Sequence, residues 1–355
     1  MVIRKLALKN YRNIEETEFF PCEEVNIVYG ENAQGKTNII EAVWLFTGCK
    51  SFRGAKDKEL VRFGEEKSEL SLDYFTAGAS ASAALEITNR RKAFSGGVPL
   101  ASPVGLMGEF TAVVFSPAHL GLVKNGPAER RKFLDTAICQ IKPSYTAALR
   151  DYARALEQRN SLLKDIPYHG ELLDTLDVWD ERLVQAGDKI TEERVKYALL
   201  LEESAKTVYQ GLSDGKETFD VRYESTEDNH FGEMLRRQRK NDILAGSTSV
   251  GPHRDDIDIR INGVSARAFG SQGQQRSAAL ALKMAEGEIV KNVTGEYPVL
   301  LLDDVMSELD ASRQNYVLII SETGRFLSPA VTRTRWSGPG PEKNSGSRTD
   351  RLCDL

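Results

Sequence analysis

Hydrophobic and polar positions follow different periods in different stretches of the chain. Near the N-terminus they alternate in short runs, the spacing of half-buried strands. Ile3–Leu8 reads as a first strand; Leu70–Phe75, Ala84–Thr88 and Thr111–Phe115, with a turn at Ser95–Gly97, predict antiparallel strands beside a central sheet. Val25–Tyr29 reads as one more short strand, and Asn38–Phe46 reads as a helix burying Ile39, Ile40, Val43 and Trp44. In the middle of the chain the period becomes helical. Pro143–Lys164 places Ala148, Tyr152, Ala155, Leu156 and Leu162 on one face, and Leu172–Leu201 forms a second amphipathic helix after a break at Pro167–Gly170. No long heptad run is present, so these helices predict a compact arm rather than a coiled coil. Toward the C-terminus, a helix begins at Ser271 and runs to about Val290. Then Val299–Leu302 are all apolar, as in a strand buried on both faces, and the strand ends in Asp303 and Asp304.

Composition narrows the class. The chain has 355 residues, 41% hydrophobic and 28% charged, which suits two domains with ordinary cores. Cys22, Cys49, Cys139 and Cys353 are scattered without a CxxC pair, so no zinc site or disulfide framework is expected, and reduced thiols fit a cytoplasmic protein. No run approaches the about 18 apolar residues of a membrane span. A net charge of −5 excludes a uniformly basic surface but leaves room for one basic face.

Between the predicted strand and helix lies Gly30-Glu31-Asn32-Ala33-Gln34-Gly35-Lys36-Thr37, which fits G-x-x-x-x-G-K-[ST] at every fixed position. The glycines let the backbone close on phosphate oxygens, and the main-chain N–H groups with the helix N-terminus form an anion cradle. Lys36 is positioned for the β- and γ-phosphates and the Thr37 hydroxyl for Mg²⁺, with Asn38 following. A chance glycine-rich turn would not be flanked by this strand and this helix. In an open parallel sheet, carboxylates at a strand's C-terminal end face the ligand crevice. Asp303 is therefore expected to serve Mg²⁺ and Asp304 to orient the attacking water. ATP and Mg²⁺ are the expected cofactors, with Lys36, Asp303 and Asp304 as the catalytic set.

Two further segments restrict the kind of ATPase. Ser271-Gln272-Gly273-Gln274-Gln275 opens a helix and resembles the signature motif of ABC-type ATPases, and Ser307-Glu308-Leu309-Asp310 resembles their D-loop. In that superfamily the signature loop serves a nucleotide held by a second subunit. The resemblance thus implies two heads closing face to face, with Ser271, Gly273, Gln274 and Asp310 touching nucleotide. A small-molecule kinase would lack this pairing.

Leu8–Asn13, Gly30–Glu41, Lys50–Arg53, Arg130–Asp135 (RRKFLD), Ser249–Asp256 (SVGPHRDD), the SQGQQR segment and LLLDDVMSELD, in this order, resemble the RecF recombination mediator family. The resemblance covers residues 1–324. It implies an α/β fold: a P-loop ABC-type ATPase head with a mixed sheet, plus an inserted mainly helical arm. On this reading residues 1–116 and 245–327 are the two halves of the head, 117–244 the arm and 328–355 an atypical, disordered tail. The resemblance further implies weak, DNA-stimulated ATP hydrolysis and an ATP-dependent homodimer. DNA partners would be single-stranded and gapped or linear double-stranded. With RecO and RecR the protein would help load RecA, serving repair, replication and the SOS response. Arg12 would approach the nucleotide.

Arg130, Arg131 and Lys132, and the denser run Arg236, Arg237, Arg239 and Lys240, are candidate contacts for DNA phosphates, each weighed against a plain solvated helix face. His253 follows Gly251-Pro252 and is expected near the site but not as a metal ligand. After Leu327 the sequence departs from the family. A strand and a polar switch loop are expected there, but the chain turns rich in Pro, Gly, Ser and Arg. That departure keeps open an alternative function, an ATP-binding scaffold without turnover.

Overall fold

The computed structural model describes residues 1–23, 26, 28–29, 35–226, 230–304, 313–314 and 334–335. β1 (Val2–Tyr11) and β2 (Ile14–Phe19) form a hairpin, followed by β3 (Val28–Tyr29), α1 (Lys36–Leu45) and the short α2 (Asp57–Leu60). β4 (Ser68–Thr76), β5 (Ala79–Ile87), β6 (Arg91–Ser95) and β7 (Val98–Pro99) complete an antiparallel sheet in the order β2-β1-β4-β5-β6-β7. The inward residues of β1 change phase, from Ile3 to Leu6 and Leu8, and a bulge between Ile3 and Lys5 absorbs the extra residue. Gly96 and Gly97, both at positive φ, make the tight turn expected between β6 and β7.

β8 (Ala112–Phe115) corrects one expectation. Alternation places Thr111–Phe115 in the antiparallel set, but β8 lies outside that sheet and pairs in parallel with β12 (Val299–Leu302). All four β8 side chains are buried, so the segment carries no outward polar face; such a run belongs in a covered parallel sheet. α1 packs Ile39, Val43 and Trp44 into the core that Ala112, Val114, Val299 and Leu301 share with the antiparallel sheet.

The middle of the chain gives α3 (Gly121–Lys124), α4 (Pro127–Ile141), α5 (Tyr145–Asp165) and α6 (Leu173–Leu212). α4 starts at Pro127, whose fixed φ and missing N–H suit a first helical turn. α6 has 40 residues and, at 1.5 Å per residue, runs about 60 Å, well past the predicted end. The region is not helical throughout: β9 (Phe219–Glu224) follows, before α7 (Phe231–Ala245). β9 pairs with β10 (Asp256–Ile261), which pairs with β11 (Val264–Ser265); then come α8 (Ala266–Phe269) and α9 (Gln272–Thr294). A second core joins Tyr197, Leu201 and Tyr209 of α6 to Leu280, Leu282 and Ile289 of α9, so the base of the arm and the C-terminal half of the head are packed as one body. A small third cluster, Leu163, Ile166 and Leu176, closes the outer arm. In the tail, β13 (Thr334–Arg335) pairs in parallel with β3; the other residues of 328–355 lie outside those described.

Candidate functional site

α1 begins where Gly35 adopts φ 103°, a conformation that favours glycine. A Cβ there would also lie 2.8 Å from Asn13 Oδ1, so the position is closed to side chains twice over. Gly30, Glu31, Asn32, Ala33 and Gln34 fall outside the described residues, as does Asp310. Lys36 opens the helix, and the Thr37 hydroxyl donates to Asp303 Oδ1 at 2.7 Å. Parallel pairing to β8 holds β12 in place, and the Asp303 N–H donates to the Phe115 carbonyl at 2.9 Å. Burial pushes the Asp303 carboxyl above its usual range, while Thr37 and Arg53 pull it back. A hydroxyl and a carboxylate so placed are the hard-oxygen donors that Mg²⁺ takes when it bridges protein and phosphate. Thr37 and Asp303 therefore fit the ion. Asp304, exposed and at φ 52°, turns away from the strand direction just beyond them.

Glu41, one turn after Thr37, organises the flank of the loop. It is fully buried on α1. Its carboxylate receives Arg12 through Nε at 3.0 Å and Nη2 at 2.9 Å, the Ser51 hydroxyl at 2.5 Å and the Tyr11 hydroxyl at 3.2 Å. Burial, and then the Glu41 charge, keep Tyr11 protonated far above its ordinary range. Arg53 donates to Asn38 Oδ1 at 2.8 Å, and Asn38 donates to Asn13 Oδ1 at 2.8 Å. A continuous polar belt thus runs from Arg12 and Glu41 to Asn13 beside Gly35. Arg12 and Asn38 are candidates from their motifs, whereas Glu41 and Asn13 join the site only through the fold. The available signal was an acidic residue inside a helix otherwise filled by Ile39, Ala42, Val43 and Trp44.

Ser271 caps α9. Its hydroxyl accepts the Gln274 N–H at 3.2 Å, and Gln274 Oε1 accepts the Ser271 N–H at 2.8 Å, a reciprocal capping box. Gly273 lies between them. Gln274 Nε2 donates to Glu217 Oε1 at 2.6 Å, a partner the sequence did not flag.

The basic candidates divide by burial. Arg130 is buried and held by Asp256 at 2.6 and 2.7 Å and by the Asn125 carbonyl at 2.7 Å. It locks α4 onto β10 and presents nothing to solvent, which corrects its assignment as a DNA contact. Arg131 is half-buried and donates to the Asp255 carbonyl, whereas Lys132 is exposed. On α7, Arg239 is tied to Asp177 and Asp180, while Arg236, Arg237 and Lys240 are exposed. His253 Nδ1 meets the Tyr152 hydroxyl at 2.6 Å, and burial lowers its pKa. No helix among them is long and apolar enough to cross a membrane.

A phosphate loop at the head of α1, a strand-end carboxylate against its threonine and a capped signature helix define an ABC-type ATPase head. The fold is shared with the Smc head domain of Pyrococcus furiosus, at TM-score 0.52 and 16% identity over 91% of this chain and 87% of that one. A family profile described as an AAA domain matches residues 5–166. The DNA replication and repair protein RecF of Lachnoclostridium phytofermentans is 42% identical over 321 residues, 90% of this chain and 89% of that one. Its counterpart from Agathobacter rectalis is 42% identical over 334 residues, 92% of each. A solved structure of the recombination mediator protein RecF with ATP superposes at TM-score 0.86 with 36% identity, covering 95% of this chain and 94% of that one. The chain belongs to the RecF family of DNA replication and repair proteins.

Proposed function

We infer that this protein is an ATP-gated DNA-binding switch of recombinational repair. The Thr37–Asp303 contact carries the reading, because it sets the two halves of a Mg²⁺–ATP site against each other from opposite ends of the chain. Lys36 and the Gly30–Asn38 loop hold the phosphates, Thr37 and Asp303 hold Mg²⁺, and Asp304 orients water for slow hydrolysis. Ser271, Gly273, Gln274 and Asp310 complete the site of a second copy, so ATP drives homodimerisation. Arg12 contributes from beside the loop. The related structure is of RecF with ATP in the RecFOR pathway, which supports the nucleotide and a connection to RecO and RecR. Single-stranded and gapped or linear double-stranded DNA are the binding partners, RecA loading and SOS support the outcome, and the cytoplasm the place.

A second reading follows from the departure of the sequence after Leu327: an ATP-bound scaffold that does not turn over. Light scattering with binding to a gapped duplex, each with and without ATP–Mg²⁺, separates these. ATP-dependent doubling of mass with tighter DNA binding supports the switch, and adding phosphate release distinguishes turnover from a scaffold. Lys36→Met is expected to abolish the mass shift by removing phosphate binding. Ser271→Arg is expected to abolish it while ATP still binds. No change of mass in the unmodified protein overturns the switch.

A further inference from the structure

The signature loop is fastened to the arm through one carboxylate. Gln274 uses both ends of its side-chain amide: Oε1 accepts the Ser271 N–H at 2.8 Å, and Nε2 donates to Glu217 Oε1 at 2.6 Å. The other oxygen of Glu217 accepts the Tyr209 hydroxyl at 2.7 Å. Tyr209 lies in the last turn of α6, is fully buried, and stacks on Phe219 with ring centroids 4.5 Å apart and planes 10° from parallel. The Tyr209 hydroxyl, which burial and then Glu217 push well above its ordinary pKa, is a fixed donor. Glu217 itself is only half-buried, in the turn between α6 and β9, and contributes little to either core. Gly273 is also close to a second charged group: a Cβ there would lie 3.8 Å from Arg313 Nη2.

The far end of α6 is tied to the basic helix. Arg239 of α7 bridges Asp177 and Asp180, roughly 50 Å along α6 from Tyr209 at 1.5 Å per residue. One continuous helix therefore links α7, with its exposed cations, to the loop that must meet the nucleotide of a second head.

We propose that Glu217 is the positioning residue that couples the arm to the signature loop, holding Ser271 and Gln274 in register for the partner head through its paired bonds to Tyr209 and Gln274. This rests on the ATP-gated reading above. The coupling acts on association of two heads and not on nucleotide capture by one, since none of its bonds reaches Lys36, Thr37 or Asp303. Tyr209 and Glu217 act through the same bond, so their loss is not additive.

The test compares the unmodified protein with Glu217→Ala, Tyr209→Phe and the double variant in the full chain. Three readouts are taken: melting temperature, binding of a fluorescent ATP analogue at concentrations where the protein is monomeric, and the ATP–Mg²⁺-dependent dimer constant from sedimentation. Glu217→Ala is expected to weaken the dimer about tenfold with analogue affinity within about twofold. Tyr209→Phe keeps the stacked ring and loses only the hydroxyl, and is expected to weaken the dimer a few-fold. The double variant is expected to match Glu217→Ala alone. An unchanged or tighter dimer in Glu217→Ala, or fully additive losses, overturns the inference while leaving the ATP switch intact. Equal loss of analogue binding and dimerisation assigns Glu217 a general structural role and also overturns it. Failure of the unmodified protein to dimerise overturns the switch reading, and this inference with it.

Discussion

The Thr37 hydroxyl and the Asp303 carboxylate meet at 2.7 Å across 266 residues of sequence. Burial raises the carboxyl's pKa above its ordinary value of 3.8. Its favourable contribution to stability is therefore present below that value and is lost as pH rises through the raised folded pKa, so at neutral pH the ionised site is a net cost until a cation arrives. Asp303→Asn keeps an acceptor for Thr37 and removes the charge. The nucleotide-free variant should melt at a higher temperature than the unmodified protein. The further rise produced by ATP–Mg²⁺ should vanish. Differential scanning calorimetry with and without nucleotide measures both, and a lower melting point in the nucleotide-free variant refutes the account.

His119 sets a separate pH dependence. Its Nδ1 accepts the Ser116 N–H at 3.0 Å, which requires a neutral ring protonated on Nε2. Burial first, then the positive charges of Lys283 and Lys132, lower its pKa from 6.5 to about 3. A depressed histidine stabilises the fold above its unfolded pKa, and that stability is lost as pH falls toward the folded value. Urea midpoints should decline between pH 6.5 and 4 in the unmodified protein. His119→Asn, which keeps an acceptor but cannot titrate there, should flatten that decline. Parallel curves for the two proteins rule out His119 as the source.

The site was legible wherever chemistry demands a fixed local pattern. Gly35, Lys36 and Thr37 belong to a contiguous motif, and the apolar run Val299–Leu302 ending in Asp303 announces a strand, although only Val299 and Leu301 are buried and Leu300 and Leu302 are partly so. The start of α9 at Ser271 is legible from the helical period that follows it, whereas the reciprocal bonds of Ser271 and Gln274 are seen only in the fold. What stayed hidden depends on contacts between distant segments. Local sequence does not say that Glu41 gathers Arg12, Ser51 and Tyr11, or that Glu217 reaches Gln274. Burial within the basic runs is hidden for a similar reason. Arg130 and Lys132 are two residues apart on one helix, yet Arg130 faces Asp256 and the other faces water. β8 was read as antiparallel because strand pairing is a tertiary choice, although its unbroken burial already argued for a parallel neighbour.

Those burial differences divide the cations experimentally. Arg236, Arg237 and Lys240 are exposed on α7, while Arg239 is occupied by Asp177 and Asp180. If α7 lies along DNA, replacing the three exposed residues with Ala should lower the slope of log K against log salt by up to about 3, near 0.9 per phosphate contact. Melting temperature should barely move. Arg130→Ala should do the reverse, lowering stability by about 3 kcal/mol through the unpaired Asp256. Fluorescence anisotropy across a salt series, paired with thermal melts, reads both. An unaltered slope in the triple variant removes α7 from the DNA surface.

The outer arm depends on charge more than on apolar contact. Its own cluster holds only Leu163, Ile166 and Leu176 as fully buried members. Beside it the fully buried Arg159 binds Asp180 at 2.6 Å, and Asp242 and the Thr248 hydroxyl each at 2.8 Å. Asp242 in turn accepts the N–H and hydroxyl of Ser249, which fixes the chain after α7. Removing one partner of a buried ion pair leaves the others uncompensated, at a cost of about 3–5 kcal/mol. Arg159→Met should therefore loosen α5, the start of α6 and α7 together. The base of α6 is packed on α9 in a different core and should stay folded. Limited proteolysis should then cut first around Pro167–Gly170, between α5 and α6, while the head still binds a nucleotide analogue. Simultaneous loss of the arm and of nucleotide binding would instead mean that the whole chain unfolds as one unit, with the arm's ionic cluster supporting the head as well.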